Sequence, residues 1–306
     1  MRGRVPGSDG EASTQIDPPE APDMRALRPA LAALLVATAL AGGGSAGAGP
    51  TAGGVTSDNV QYLSTVPFDA GTAWGARLVD NHLYVAGYRA LSIYDVSDPL
   101  APQLVSTVPT PTMLTGEDVD TNGEILVLSA QTPETDFLLV YNVEDKTSPT
   151  LISTLEGAGD HTITCVLDCK WAFGSNPRGV VVDLRNPAEP RLAGSWREKL
   201  GLRFVHDVTE VAPGRIVSAS SPAFYLDARK KPADPTILAT AWTDQSLGLP
   251  GNQLLPGSSR WPRNATDRFL LFGYESPFGG TCSKETAGAI TTWDTRNWRK
   301  RHSFKE

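Results

Sequence analysis

An all-β fold made of repeated four-stranded sheets is what this sequence predicts, and three observations carry the prediction. Glycine and proline are abundant, 29 and 24 among 306 residues, and both interrupt helices and punctuate turns. Five short apolar runs, each closed by Asp or Asn, recur along the chain. Each run follows a hairpin pattern, and four of the five lead through a proline-marked link into another strand. A sheet of this kind is apolar on both faces and cannot bury itself. Neighbouring sheets must stack on it, and radial stacking gives a β-propeller.

The runs are residues 91–95, 138–142, 179–183, 223–227 and 290–294, and their closing residues Asp95, Asn142, Asp183, Asp227 and Asp294 lie 47, 41, 44 and 67 positions apart. Three of these intervals match the roughly 40–50-residue period of propeller blades. The fourth accommodates an insertion at 275–288. The closing side chain can accept from backbone N–H groups two residues on, which makes a turn. Pro99, Pro102, Pro149, Pro187, Pro190, Pro232 and Pro235 then stop one strand and stiffen the link, because proline cannot extend a ladder. The next strands are expected at 104–107, 151–154, 192–195 and 237–240. Ahead of each run a hairpin is expected, with second strands at 83–87, 125–129, 171–175, 216–219 and 269–273. Its turns carry Asp80-Asn81, Asn122-Gly123, Asp168, Pro213-Gly214 and Thr266-Asp267.

The first unit reads Leu91-Ser92-Ile93-Tyr94-Asp95, then Ser97-Asp98-Pro99 and Pro102. This pattern resembles the LVIVD-repeat proteins, a family of largely secreted bacterial β-propellers. The resemblance runs from about Val60 to the C-terminus and fades by Trp293-Asp294-Thr295-Arg296-Asn297, which has neither proline. It implies a fold and a location. It implies no particular activity, and no catalytic motif carries over.

Residues 1–48 read as a leader. A polar, proline-rich start precedes Met24-Arg25-Ala26-Leu27-Arg28, then an apolar run over 30–41 and the small-residue pattern Ala46-Gly47-Ala48. This is the plan of a secretory signal peptide with its initiator at Met24, and the apolar run is shorter than the roughly 20 residues of a membrane span. The expected division is leader 1–48, flexible linker 49–58 and propeller 59–306. The glycine-rich 42–47 mimics both a dinucleotide loop and a nucleophile elbow, but lies in the leader without the strand and helix those motifs need. The sequon Asn264-Ala265-Thr266 is expected to be idle in a bacterial protein.

Ring closure poses a question. Residues 62–65 and 302–304 both match the strand that follows the proline link. Five units with one surplus strand favour a chain that continues past Glu306 into one or two more blades, over a ring closed at five.

Candidate sites follow from the repeat. His161 and His206-Asp207 fall at the expected start of the innermost strand in units three and four. The same count back in the other units reaches Trp74, Gly116-Glu117 and Arg260-Trp261. These positions would ring one mouth of the central channel, where propellers hold ligands, and make His161, His206, Asp207, Glu117, Trp74 and Trp261 the ligand-binding candidates. Asp118, Asp120 and Asn122, ahead of Gly123, match the first half of a calcium loop, although Ser129 stands where the bidentate Glu should be. The competing reading is a tight Asn-Gly turn. Cys165 and Cys169 flank a three-residue hairpin tip and suit a disulfide in an exported protein. A metal site joining them to His161 would lack a fourth ligand. Cys282 is left over in the insertion.

A net charge of −7 argues against nucleic acid as partner, and the C-terminal cluster Arg296, Arg299, Lys300, Arg301 and Lys305 reads as a solvated strand edge. The reading is a secreted, non-enzymatic binding or scaffold protein for an extracellular ligand, glycan or protein, with calcium as its one cofactor candidate. The alternative is a metal-dependent hydrolase or lyase using His161 and His206 in the channel.

Overall fold

Five antiparallel four-stranded sheets, each a simple meander, make up the chain in a computed structural model that describes residues 58–59, 61–69, 71–113, 118–202, 204–243, 255–261, 268–275 and 289–305. Blade one is β1 (Ala73–Val79), β2 (His82–Gly87), β3 (Ala90–Asp95) and β4 (Gln103–Pro109). Blade two is β5 (Val119–Thr121), β6 (Ile125–Gln131), β7 (Asp136–Asn142) and β8 (Thr150–Glu156). Blade three is β9 (Ile163–Val166), β10 (Trp171–Gly174), β11 (Val180–Asp183) and β12 (Arg191–Ser195). A five-residue helix, α1 (Trp196–Leu200), leads into blade four: β13 (Val205–Ala212), β14 (Arg215–Ser220), β15 (Ala223–Asp227) and β16 (Thr236–Ala241). Blade five is β17 (Leu255–Arg260), β18 (Phe269–Glu275), β19 (Ala289–Asp294) and β20 (Arg299–Lys305). The leader, Glu117, the sequon, the Thr266-Asp267 turn and the insertion with Cys282 lie outside the described residues.

The turn chemistry expected of the closing residues is present in every blade. Asp95, Asn142, Asp183, Asp227 and Asp294 each accept through Oδ1 from the N–H two residues on, that of Ser97, Glu144, Arg185, Arg229 and Arg296. Just past each turn the third and fourth strands slip register at one equivalent step, after Ile93, Val140, Val181, Tyr225 and Thr292. A bulge of this kind sharpens the local twist, and its repetition gives each blade the same twist.

Period-two alternation in the middle strands explains why the sheets stack. In β6, Leu126 and Leu128 pack with Tyr84, Leu91 and Ile93 of blade one, while Val127 turns to Ile163, Ala172 and Val182 of blade three. In β10, Phe173 faces Val208, Ile216 and Leu226 of blade four. In β14, Val217 faces Leu270, Phe272 and Trp293 of blade five. Blades two, three and four thus each contribute to two cores, and blades one and five to one each among the described residues.

The surplus strand expected from the sequence is not formed among the described residues. Residues 302–304 fall in β20, the outer strand of blade five, whereas 62–65 form no strand. Segment 64–68 instead lies along blade one, where Ser64, Val66 and Phe68 share an apolar crevice with Leu83, Val85 and Tyr94. Ser64 Oγ donates to Pro99 O, the contact that Ser106 makes to Lys146 O and Ser153 to Pro187 O between successive blades. The segment therefore contributes the side-chain bond of an outer strand without joining a sheet. Inner strands from all five blades line one cavity, so five sheets make the ring. No helix among the described residues is long and apolar enough to cross a membrane.

Candidate functional site

The central channel is built in tiers, one residue per inner strand. Strand register places Arg77, Asp120, Thr164, Thr209 and Arg260 at one level, opposite Tyr84, Val127, Phe173, Val217 and Leu271 of the second strands. Two residues earlier in the chain stand Asp118 and Thr162, just ahead of β5 and β9, and Asp207 and Ser258, within β13 and β17. Alternation sends both tiers to the same face, and together they line a cavity of about 260 Å³.

Most of this polar lining is tied down. Asp120 joins three blades: Oδ1 pairs with Arg77 Nε at 2.9 Å and accepts from Thr121 N, and Oδ2 accepts from Cys165 N at 2.8 Å. Thr162 Oγ1 donates to His206 O at 3.0 Å, and Thr164 Oγ1 donates to Val208 O, stitching β9 to β13. Thr209 and Ser259 link β13 to β17. Glu210 closes the far side, accepting from Leu167 N and Gly214 N at 2.8 and 2.7 Å.

Burial sets the electrostatics. Desolvation raises the carboxyl of Asp118 well above its ordinary range, and the nearby Asp207 and Asp120 push it further. Asp207 is lifted by burial to about 6, against the opposing pull of its bond from Val208 N and the charge of Arg260. Asp120 and Glu210 are also raised by burial, held back by Arg77 and by backbone donors respectively. The channel is a place where an ionised carboxylate is costly.

The sequence candidates divide. His161 and His206 come together at one mouth, Nε2 to Nε2 at 3.2 Å, and His206 Nδ1 lies 2.8 Å from Gly257 O. Asp207 lines the channel beside them. Trp74 sits near the start of β1 but packs against the apolar core between blades one and two, and its buried Nε1 meets no acceptor among the described residues. Trp261 is a correction. The strand β17 ends at Arg260, so Trp261 follows the end of the inner strand, where it packs against Tyr225 and Trp298 at 5.2 and 5.8 Å between ring centres. Arg260 still reaches the channel, from the strand's last residue.

Asp118, Asp120 and Asn122 do not converge as a loop of cation ligands. Asp118 and Asp120 face the channel, while Asn122 Oδ1 accepts from Glu124 N and Ile125 N and forms the turn. Among the described residues, no three His, Cys, Asp or Glu side chains gather as a metal site. Cys165 and Cys169 are joined at 2.03 Å across the tip of the β9–β10 hairpin, at the mouth away from the histidines, beside Asn122 and Asp168.

Sequence reasoning missed Arg77, Thr162, Thr164, Thr209 and Glu210. None of them belongs to a recognisable motif, and only the equivalence of the inner strands reveals that Arg77, Thr164 and Thr209 share a level, with Thr162 and Glu210 above and below it. Asp160, next to His161, was also missed. Fully buried, it accepts from Arg178 N and Val180 N at 3.1 and 2.9 Å, and burial raises it to about 6. It holds the backbone from which His161 projects.

The LVIVD repeat family matches residues 70–110, the span of blade one. No functionally curated protein matches the chain. Among solved structures, a functionally unknown protein from Desulfotomaculum acetoxidans is similar at 13% identity and a TM-score of 0.53, over 82% of this chain and 75% of that one. Sqt1 of Saccharomyces cerevisiae aligns at 8% identity over 62% of this chain and 47% of its own, with a TM-score of 0.43.

Proposed function

We propose that this LVIVD-repeat propeller is an exported binding protein that takes a small polar ligand into its central channel. The observation that carries this reading is the two-tier lining, in which carboxylates, guanidinium groups and hydroxyls from five separate strands face one cavity. Buried charges are retained at a cost in stability, and their concentration in a cleft is the usual mark of a functional site. At about 260 Å³ the cavity falls just below the roughly 300–1,000 Å³ of sites for drug-sized molecules, so its occupant is small. Mixed charge suits a molecule bearing both ammonium and carboxylate groups. Export is supported by the basic stretch, apolar run and small-residue site within 24–48.

A catalytic zinc is usually held by three protein ligands, and no such trio gathers among the described residues, so nothing favours the hydrolase or lyase reading over binding. The test is a thermal-shift survey with free amino acids, dipeptides and monosaccharides on the wild type and on Asp118→Asn and Arg77→Gln. A compound that stabilises the wild type and loses most of that shift in both variants supports the channel. Stabilisation that survives both variants places binding elsewhere.

A further inference from the structure

We propose that His161 and His206 together hold a zinc-class divalent metal ion at the channel mouth. This goes beyond the small-ligand reading and stands whether or not the channel takes such a ligand. The two Nε2 atoms are 3.2 Å apart, with the imidazole planes at 85° and ring centres 4.7 Å apart. Two imidazole nitrogens on one tetrahedral zinc, each at ~2.0–2.1 Å, stand roughly 3.3 Å from one another, so the spacing already fits a shared ion.

Orientation of the second ring supports the same site. A backbone carbonyl can only accept, so the 2.8 Å contact between His206 Nδ1 and Gly257 O places the proton on Nδ1. The Nε2 lone pair of the neutral ring is then directed at His161. Metal-binding histidines are held in just this manner, with the outer N–H given to a carbonyl. His206 is 8% exposed and its carbonyl is fastened by Thr162, so the ring has a fixed base. His161 is fastened through its N–H to Asn176 O at 2.6 Å and remains partly open to solvent. The channel below is lined by Asp118, Asp120 and Asp207 together with Arg77 and Arg260.

Without metal the same approach is an N–H···N hydrogen bond from His161 to His206. To take up the ion His161 shifts its proton from Nε2 to Nδ1, and no proton is lost overall. Two histidines fill two positions, leaving the others to water or to oxygen atoms of a bound molecule. No third protein ligand from the described residues joins them.

Calorimetric titration of chelator-treated full-length protein with zinc sulfate tests the site, using wild type, His161→Ala and His206→Gln checked by circular dichroism. One saturable equivalent is expected, weakened by about tenfold or more in each variant. Copper(II) added to the wild type should show nitrogen hyperfine coupling from two imidazoles in its electron paramagnetic resonance spectrum. No saturable zinc binding to the wild type overturns the proposal, as does an affinity that folded His161→Ala leaves unchanged. His161 is the more exposed partner, so its variant decides should His206→Gln fail to fold.

Discussion

Asp207 projects a carboxylate into a channel that penalises negative charge, and burial lifts its pKa to about 6. A carboxyl raised in the folded state favours folding when protonated. Its contribution is present below the unfolded pKa of about 4 and is lost as pH rises through 6. Asp207→Asn should therefore raise stability at pH 7 by about 1–3 kcal/mol, and the gain should shrink to nothing near pH 4 in urea melts across that range. A variant that is no more stable at pH 7 than at pH 4, relative to wild type, would show that the carboxylate is well accommodated. Asp120 behaves differently, because its two oxygens take Arg77 and two backbone donors and tie β1, β5 and β9 together. Its removal leaves buried donors unmatched, which costs more than the charge itself.

At the scale of strands and turns, the closing Asp or Asn makes its bond in all five blades, and this part of the fold was legible because it is local. The inner strands were harder. The loop between β17 and β18 is longer than the short turns of the first four hairpins, so a fixed count back from β18 fell short and took Arg260-Trp261, at the end of β17, for the strand's beginning. Pro256 and Gly257 within β17 also hide its alternation. The stretch 62–65 shows what pattern alone misses: it matches an outer strand but forms none, and Ser64, Val66 and Phe68 serve instead as packing for blade one. Phe68 lies so close to Gly87 that a Cβ there would meet its ring at 2.4 Å. Gly87→Ala should cost about 1–3 kcal/mol by overpacking, and Phe68→Ala should recover part of that loss when combined with it. Additive losses in a double-mutant cycle of denaturant melts would show that the two do not touch. The bond between Cys165 and Cys169 closes so short a loop that Cys169→Ser should lower stability by no more than about 2 kcal/mol.

For the whole molecule, the ring is held by cores shared between neighbours, so no blade is stable alone and every inner strand is obliged to face the axis. The proposed export is the property of the entire chain that an experiment reaches most directly. N-terminal sequencing of protein recovered from the medium of an expressing bacterium should begin close to Gly49, and full-length protein retained in the cytoplasm would contradict it. Repetition, turn chemistry and apolar alternation determined the propeller from the sequence, because each acts within a few residues and recurs at a steady period. The channel could be read that way only in part, through the equivalent places of His161 and His206-Asp207 in the repeat. Which polar residues stand level, and that His161 meets His206, depend on the twist of each sheet and on the number of blades in the ring. Those are decided only when five sheets pack about one axis.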